Sequence, residues 1–418
     1  MTKDLTWYNT FQYISMLLVA VAIPIGFHQA LWMSGLLALS SLVAMVARRR
    51  VGNPALKGGL RWGLVFLAGY WLLLLVSMLY TADTATGWDV LWHKAMLLVF
   101  SLSFLLADTS WLTPRTMRGV GYAFLASMTG VFLYLAGVAV GKMIGGSTLG
   151  AVTGSTFDPR HHAYSAIYLA AALAFVYHEL HAHWGELKPW LRGVLIAVVP
   201  LLILHIIIVN SRAGILTLYV IEAACTVHFA LTRRRWWQAA LMAVLLAGYT
   251  LGVEKGLPSH EMRVVSTVED LVSDEPSDAR VDINGSSFDA VKKQPLFGYG
   301  VGDYRHCLVE QYDENGWEYG VNAEFNAHNQ YMETVLAVGA VGLLLFLAML
   351  AWPLWQAWRR RSSALFLVLL LSFIVAFNLL FESMLERQMG LLFVGFALAV
   401  MTLTVSCEEN KFGREEKS

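Results

Sequence analysis

Apolar residues form long blocks along this chain, and polar residues gather in short segments between the blocks. Most blocks are about 17 to 22 residues long, enough for a helix to cross the hydrocarbon core of a bilayer. The sequence therefore predicts an all-α polytopic membrane protein. We expect twelve membrane-spanning helices, at residues 10–27, 30–47, 62–80, 88–107, 117–140, 163–181, 192–209, 213–231, 236–252, 329–351, 364–381 and 388–406.

Composition and charge support this class and orient the chain. Hydrophobic residues make up 57% of the sequence and charged residues 14%, against roughly 25% charged in soluble domains. Basic clusters lie at Arg48–Arg50, Arg233–Arg235 and Arg359–Arg361. The positive-inside rule predicts that all three clusters, and both termini, are cytoplasmic. We expect no nucleic-acid partner.

The three cysteines predict no disulfide framework and have no metal-binding spacing. Cys225 falls within a predicted span, Cys307 on the outer side and Cys407 on the inner side.

One connection, residues 253–327, is far longer than the others and is predicted on the outer side. It contains 15 Asp and Glu against 6 Lys and Arg, a net charge of −9. Long loops in compact proteins are usually functional or disordered, and the aromatic content argues against disorder. We expect a small folded cap with short helices at His260–Leu271 and Asn284–Lys293, followed by the turn-rich stretch PLFGYGVGDY.

The chain thus divides into four parts by prediction. Residues 1–252 hold nine membrane helices, residues 253–327 form the cap, residues 328–406 hold three more helices, and residues 407–418 form a cytoplasmic tail.

Several cationic or titratable residues lie near apolar spans or in the acidic cap, where charge is costly and often functional. They are Lys94, Arg160, Arg212, Arg280 and His328. Arg212 lies in a very short junction between two spans, and its guanidinium fork suits phosphate. His328 stands at the predicted outer mouth of a span, where an imidazole can act as a general base near neutral pH.

Four of these residues also have a structural interpretation that the sequence leaves open. Lys94 could extend to the surface or pair with Asp89, and Arg160 could be an interfacial anchor. Arg280 could pair with a neighbouring aspartate, Asp278 or Asp282. His328 could be a hydrogen-bonded interfacial histidine.

Three motifs together resemble a known family. They are SRAGILTL from Ser211, ARVDINGSSFDAVKKQPLFGYG from Ala279 and NAHNQYMETVLAVGAVGL from Asn326. In this order, in a polytopic frame with one large outer loop, they resemble the O-antigen ligase and polymerase family of bacterial envelope glycosyltransferases.

The resemblance implies a GT-C-like fold and an enzyme of the bacterial inner membrane whose site faces the periplasm. The implied donor is O-antigen polysaccharide on undecaprenyl pyrophosphate, and the implied acceptor is a sugar hydroxyl of lipid A–core. Carried over to this sequence, it implies that His328 is the base and that Arg212 and Arg280 act in catalysis. Donor pyrophosphate binding is expected at Arg212 and Arg280, with Arg160 and Lys94. The transfer is expected to invert the anomeric centre, without cofactor or metal.

Two other functions fit parts of the pattern. A polysaccharide polymerase or another lipid-linked oligosaccharide transferase would use the same kind of donor. The single large outer loop and the short C-terminal segment favour the ligase. A transporter of lipid-linked glycans fits the number of spans, but would lead us to expect repeated halves and broken helices near the midplane.

Overall fold

The computed structural model describes residues 6–147, 162–209, 211–233 and 279–415, together with the single positions 156, 244 and 248. These residues are helical apart from short connections. The helices, in chain order, are α1 (Trp7–Ile25), α2 (Phe27–Arg48), α3 (Arg61–Ser77), α4 (Thr84–His93), α5 (Met96–Leu106), α6 (Pro114–Ile144), α7 (His162–Ala182), α8 (Pro189–Val209), α9 (Arg212–Arg233), α10 (Arg280–Lys293), α11 (Tyr304–Glu314), α12 (Glu318–Ala323), α13 (Gln330–Arg359), α14 (Leu365–Asn378) and α15 (Gln388–Glu415), with a 3₁₀ turn at Met384–Glu386.

The all-α membrane class is confirmed within these ranges. Eight helices are long and apolar enough to cross a bilayer, namely α1, α2, α6, α7, α8, α9, α13 and α15. The bent pair α4 and α5 would form a ninth span, and α3 and α14 are shorter apolar helices. Apart from the single positions 244 and 248, the predicted span 236–252 lies outside the described residues, so the total of twelve stays a prediction.

Two spans predicted as continuous are interrupted. The span at 88–107 is broken at Lys94, and its halves α4 and α5 meet at an angle of 49°. The span at 329–351 extends to Arg359 and is broken by the non-helical backbone of Val338 and Gly339. Both breaks are held by residues far away in the sequence, which is why hydropathy did not reveal them.

Contacts divide the chain into two compact units. Unit 1 comprises Met1–Ala123, Ala279–Ser372 and Leu379–Ser418, and unit 2 comprises Phe124–Asp278 and Phe373–Asn378.

In unit 1, aromatic side chains pack α3 against α13 and α5 against α15. The rings of Tyr70 and Phe346 lie 5.2 Å apart, and the Tyr70 hydroxyl shares a 3.0 Å hydrogen bond with the Thr334 hydroxyl. Phe100 and Phe396 lie 5.7 Å apart. These contacts bury the faces of all four helices, so they form the core of the unit.

Unit 1 has two chemically different ends. At one end Arg360 donates to the Gly58 carbonyl at 2.8 Å, and Arg48 pairs with Asp108. The α3 helix begins at this end, whereas α2, α5, α13 and α15 finish there. The cap lies at the other end, where the α13 helix begins.

Unit 2 packs α7 against α8 and α9. A Cβ atom on Gly214 would lie 2.4 Å from the Ala166 side chain, so glycine is what allows α9 to approach α7 this closely. Thr217 of α9 accepts a 2.9 Å hydrogen bond from the Asn378 amide.

The cap is folded where the structure describes it. The predicted helix at Asn284–Lys293 is present and begins earlier, at Arg280. Two further helices, α11 and α12, were not predicted because their apolar residues are few and their charge is high. The predicted helix at His260–Leu271 lies outside the described residues.

The turn after α10 is joined to the break in α13 by backbone hydrogen bonds. Tyr299 donates to the Leu336 carbonyl at 2.8 Å, Gly300 donates to the Ala337 carbonyl at 3.0 Å, and Ala340 donates to the Pro295 carbonyl at 2.8 Å. A helix break leaves backbone groups without partners inside the helix, and such groups must be satisfied elsewhere in a membrane protein. The cap supplies those partners.

Two glycines make this close approach possible. Gly298 has φ +70° and Gly339 has φ +66°. A Cβ atom would lie 2.5 Å from the Leu336 carbonyl oxygen at position 298, and 2.0 Å from the Leu296 carbonyl oxygen at position 339. This geometry explains the first glycine of the PLFGYG motif and the glycine in the span that follows.

A second junction lies at the carboxylate of Glu386, which accepts from three side chains of two other segments. The Lys94 ammonium lies 2.5 Å from one oxygen. The other oxygen accepts from the Tyr304 hydroxyl at 2.9 Å and pairs with Arg305. Burial raises the pKa of Glu386, but the charges and hydrogen bonds of Lys94 and Arg305 lower it by more. The net effect is a pKa lowered from 4.5 to about 2. The carboxylate therefore stays ionised at neutral pH.

The substitution Gly339→Ala is expected to lower the free energy of unfolding by about 1–3 kcal/mol from backbone strain alone. Alanine also separates the cap turn from α13, which adds to this loss. The measurement is unfolding in detergent by SDS titration. The matched control is Gly35→Ala in α2, where a Cβ atom meets nothing within 4 Å. Equal stability of the two variants would contradict this account of the junction.

Removing the charge of Glu386 is expected to cost roughly 3–5 kcal/mol, because Glu386→Gln leaves the buried Lys94 ammonium without its counter-ion. The double variant Lys94→Met/Glu386→Gln should be more stable than Glu386→Gln alone, as measured by the same titration. Since the pKa of Glu386 is lowered from 4.5 to about 2, its contribution is complete above pH 4.5 and declines only as the pH falls toward 2. If the destabilisation of the double variant equals the sum of those of Lys94→Met and Glu386→Gln measured singly, the pairing is refuted.

Candidate active site

His328 lies where the cap chain returns to α13, in a turn built by two asparagines. Its backbone has φ +43°, in the left-handed region. The Asn326 side chain accepts from the His328 amide at 3.0 Å. Asn329 caps α13 by accepting from the amides of Tyr331 and Met332 at 3.0 and 3.2 Å. The sequence NAHN therefore places the histidine immediately before a capped helix.

The glutamate of the same motif anchors this turn. Glu333 is buried, and its carboxylate accepts from the Ala327 amide at 3.1 Å and from the Ser383 hydroxyl at 3.0 Å. Gln330 is also buried, and its backbone amide donates to the Leu379 carbonyl at 2.8 Å. The start of α13 is thus tied to the segment between α14 and α15.

That segment brings Glu382 between two of the predicted site residues. One carboxylate oxygen of Glu382 lies 3.6 Å from Arg280 Nη2, and the other lies 3.6 Å from His328 Nδ1. The Glu382 side chain is 11% exposed, whereas those of Arg280 and His328 are 32% and 31% exposed. A guanidinium and an imidazole therefore reach the surface side by side, above a mostly buried carboxylate.

Aromatic residues of the cap support the histidine from one side. The His328 and Phe325 rings lie 6.2 Å apart, and Phe325 stacks on Trp317 at 5.8 Å. The Tyr312 hydroxyl donates to the Phe325 carbonyl at 3.1 Å. These contacts hold the last residues of the cap in place.

The structure gives Lys94 a different environment from the one the sequence led us to expect. Lys94 is 2% exposed, and its ammonium pairs with Glu386 instead of reaching the surface or Asp89. A buried ammonium needs a nearby anion, and the nearest carboxylate comes from a distant part of the chain. The contact of Lys94 with a donor stays a prediction.

The remaining candidates lie in other parts of the chain. Arg212 belongs to unit 2, begins α9 and is half-buried. Ser211 initiates this helix, since its carbonyl accepts from Ile215 at 2.8 Å and its hydroxyl accepts from Gly214 at 3.3 Å. Arg160 lies outside the described residues. Of the predicted residues, the structure brings together Arg280 and His328.

Sequence reasoning missed Glu382 and Glu386. Both lie in FESMLERQMG, where two carboxylates occur in a short connection between apolar helices. The rule that marked Lys94, that charge beside a span needs an explanation, applies equally to acids there. Applied to cations alone, this rule did not select Glu382 and Glu386 as candidates.

Comparison with known proteins places these residues in a family context. A model of the family described as O-antigen ligase matches residues 196–347. The matched segment contains Arg212, Arg280 and His328, whereas Lys94, Arg160 and Glu382 lie outside it. A search of curated proteins finds no match. The resemblance seen in the motifs is thereby confirmed, and the segment 196–347 belongs to the O-antigen ligase family.

Proposed function

We propose that this protein is an O-antigen ligase that transfers polysaccharide from undecaprenyl pyrophosphate to a sugar hydroxyl of lipid A–core. The family match supports lipid-linked glycan transfer in general. The observation that carries the proposed chemistry is the pairing of Arg280 and His328 at one carboxylate. This arrangement offers an anion-binding cation and a proton acceptor side by side.

The reaction we propose is one displacement at the anomeric carbon of the donor sugar. The acceptor oxygen forms the new glycosidic bond as the bond to pyrophosphate breaks. The leaving pyrophosphate takes the electron pair, and the acceptor proton passes to His328. General-base help of this kind is typically worth ~10²–10⁴-fold. Because attack comes opposite the leaving group, the anomeric configuration inverts.

Arginines are proposed to bind the pyrophosphate. Arg280 lies beside the proposed base and can stabilise charge that develops on the leaving group. Arg212 begins a helix, where backbone amides and the helix dipole favour anions. Arg160 is proposed as a further donor ligand. A contact of Lys94 with the donor stays a prediction, and it would require the ammonium that pairs with Glu386. The proposed reaction uses no metal.

The proposed location is the bacterial inner membrane, with the site facing the periplasm. In unit 1 the site lies at the end opposite Arg48 and Arg360, and basic clusters prefer the cytoplasmic face. A total of twelve spans in a GT-C-like arrangement, with a cap at 253–327 between nine and three helices, completes the proposal.

A deletion strain tests the reaction. Without the gene we expect long O-antigen to accumulate on the lipid carrier while lipid A–core stays bare, because polymerisation continues without transfer. The measurement is gel electrophoresis of extracted lipopolysaccharide together with analysis of the lipid-linked pool. Lipid A–core bearing a single repeat would instead identify a polymerase. A lipid-linked pool trapped on the cytoplasmic side would identify a transporter.

The purified protein tests the base. With lipid-linked donor and lipid A–core in detergent, His328→Ala is expected to lower the transfer rate ~10²–10⁴-fold, because the acceptor hydroxyl loses its proton acceptor. His306→Ala, in an exposed cap histidine with a 76% exposed side chain, is the matched control and should keep normal activity.

The same assay is run with EDTA, which should leave the rate unchanged. Near-normal transfer by His328→Ala would exclude the base assignment. Activity that EDTA abolishes and magnesium restores would exclude the metal-free mechanism.

A further inference from the structure

Glu382 touches both residues of the proposed site, and no motif marks it. We propose that Glu382 is a positioning residue that sets the tautomer of His328 and the orientation of Arg280. The proposal rests on the function proposed above, in which His328 accepts the proton. It adds the reason why one particular ring nitrogen does so.

The two ring nitrogens of His328 are not equivalent. Nδ1 is buried and forms no hydrogen bond within the described residues. It faces a Glu382 oxygen at 3.6 Å. A neutral imidazole carries one proton, and a proton on Nδ1 facing the carboxylate is favourable, whereas a lone pair there would be repelled. Nε2 then keeps its lone pair, which is the state a general base requires.

The distance of 3.6 Å is ion-pair range and exceeds a hydrogen bond. Catalytic hydrogen bonds are often long before substrate binds and shorten in the complex. When Nε2 takes the acceptor proton, the ring becomes cationic, and the charge of Glu382 stabilises that cation. Histidine–carboxylate pairs in other enzymes act in this way.

Arg280 faces the other Glu382 oxygen at 3.6 Å. A guanidinium has five N–H donors in a fixed plane, so an arginine engaged by a carboxylate can bind a phosphate at the same time. One carboxylate thus orients both groups and sets the spacing between the base and the cation.

Hydrogen bonds hold the segment that carries Glu382 on both sides. On one side of it, the Leu379 carbonyl accepts from the backbone amide of Gln330 at 2.8 Å. On the other side, the Leu385 amide donates to the Gln330 side chain at 2.7 Å, and Ser383 donates to Glu333 at 3.0 Å. The carboxylate is therefore fixed to the first turn of α13, immediately after His328. A site built on such support is more precise than one on a loop.

Kinetics of three variants separate positioning from a merely structural role. We expect Glu382→Gln, which keeps the shape and removes the charge, to lower kcat on the order of 10–100-fold. Glu382→Asp keeps the charge and should be more active than Glu382→Gln. The matched control is Glu310→Gln, in an exposed Glu–His pair of cap helix α11 whose Nε2–Oε1 distance is 3.2 Å. It should have normal activity.

A double-mutant cycle tests whether Glu382 acts through the histidine. In the His328→Ala background, adding Glu382→Gln should reduce the rate far less than it does in the wild type, because residues that act as a unit are not additive. An equal loss in both backgrounds would overturn the assignment. So would a Glu382→Gln variant as active as the wild type.

A spectroscopic experiment asks the same question without turnover. Protein labelled with ¹⁵N-histidine in nanodiscs at pH 8.5 gives one pair of ring nitrogen signals for each neutral histidine, and His328→Gln identifies the pair that belongs to His328. We expect Nδ1 of His328 to carry the proton in the wild type and this preference to be lost in Glu382→Gln. A proton on Nε2 in the wild type, or the same tautomer in both proteins, would refute the proposal.

The two experiments distinguish the failure of each proposal. If the wild type transfers no polysaccharide but shows the Nδ1-protonated tautomer that depends on Glu382, the ligase function fails and the pairing holds. If the wild type is active and Glu382 leaves both the tautomer and kcat unchanged, the pairing fails and the function holds. Comparable melting temperatures of the variants confirm that each is folded.

Discussion

The pairing of the Glu386 carboxylate with Lys94 and Arg305 is the interaction on which the organisation of unit 1 depends. The carboxylate is buried, and it pairs with Lys94 at the break between α4 and α5, with Arg305 on cap helix α11, and with the Tyr304 hydroxyl. Charges removed from water are costly unless each finds a partner. Once the helices pack, these groups satisfy one another and have few alternatives. The result is that a membrane helix, the cap and the segment before α15 are held in one arrangement.

The proposed site follows from that arrangement. The 3₁₀ turn that ends at Glu386 lies just after Glu382, so the pairing that anchors one glutamate also places the other. Glu382 then meets Arg280 from the start of α10 and His328 from the start of α13. Three segments far apart in the sequence meet at one carboxylate, on the end of the unit away from the arginine-rich connections.

The junction between cap and membrane helix has a different physical basis. It is made of backbone hydrogen bonds between the turn at Pro295–Gly300 and the break at Val338–Gly339. A break inside a membrane helix is normally unfavourable, because its polar groups lose their partners. The turn supplies them, and two glycines allow the necessary approach. The first glycine of the motif, Gly298, is therefore explained by the fold.

Hydropathy and short motifs determined much of this protein by themselves. They gave the helical membrane class, most helix positions, the presence of a cap helix near Asn284 and the candidacy of His328, because these depend on local composition and on residues close together in the chain. Only the tertiary structure decided where α4–α5 and α13 break, which carboxylate pairs with Lys94, and that Glu382 joins Arg280 to His328. Each of those features depends on groups brought together from distant segments. A buried charge or backbone group needs a partner, and the local sequence does not identify that partner, because packing decides which groups meet.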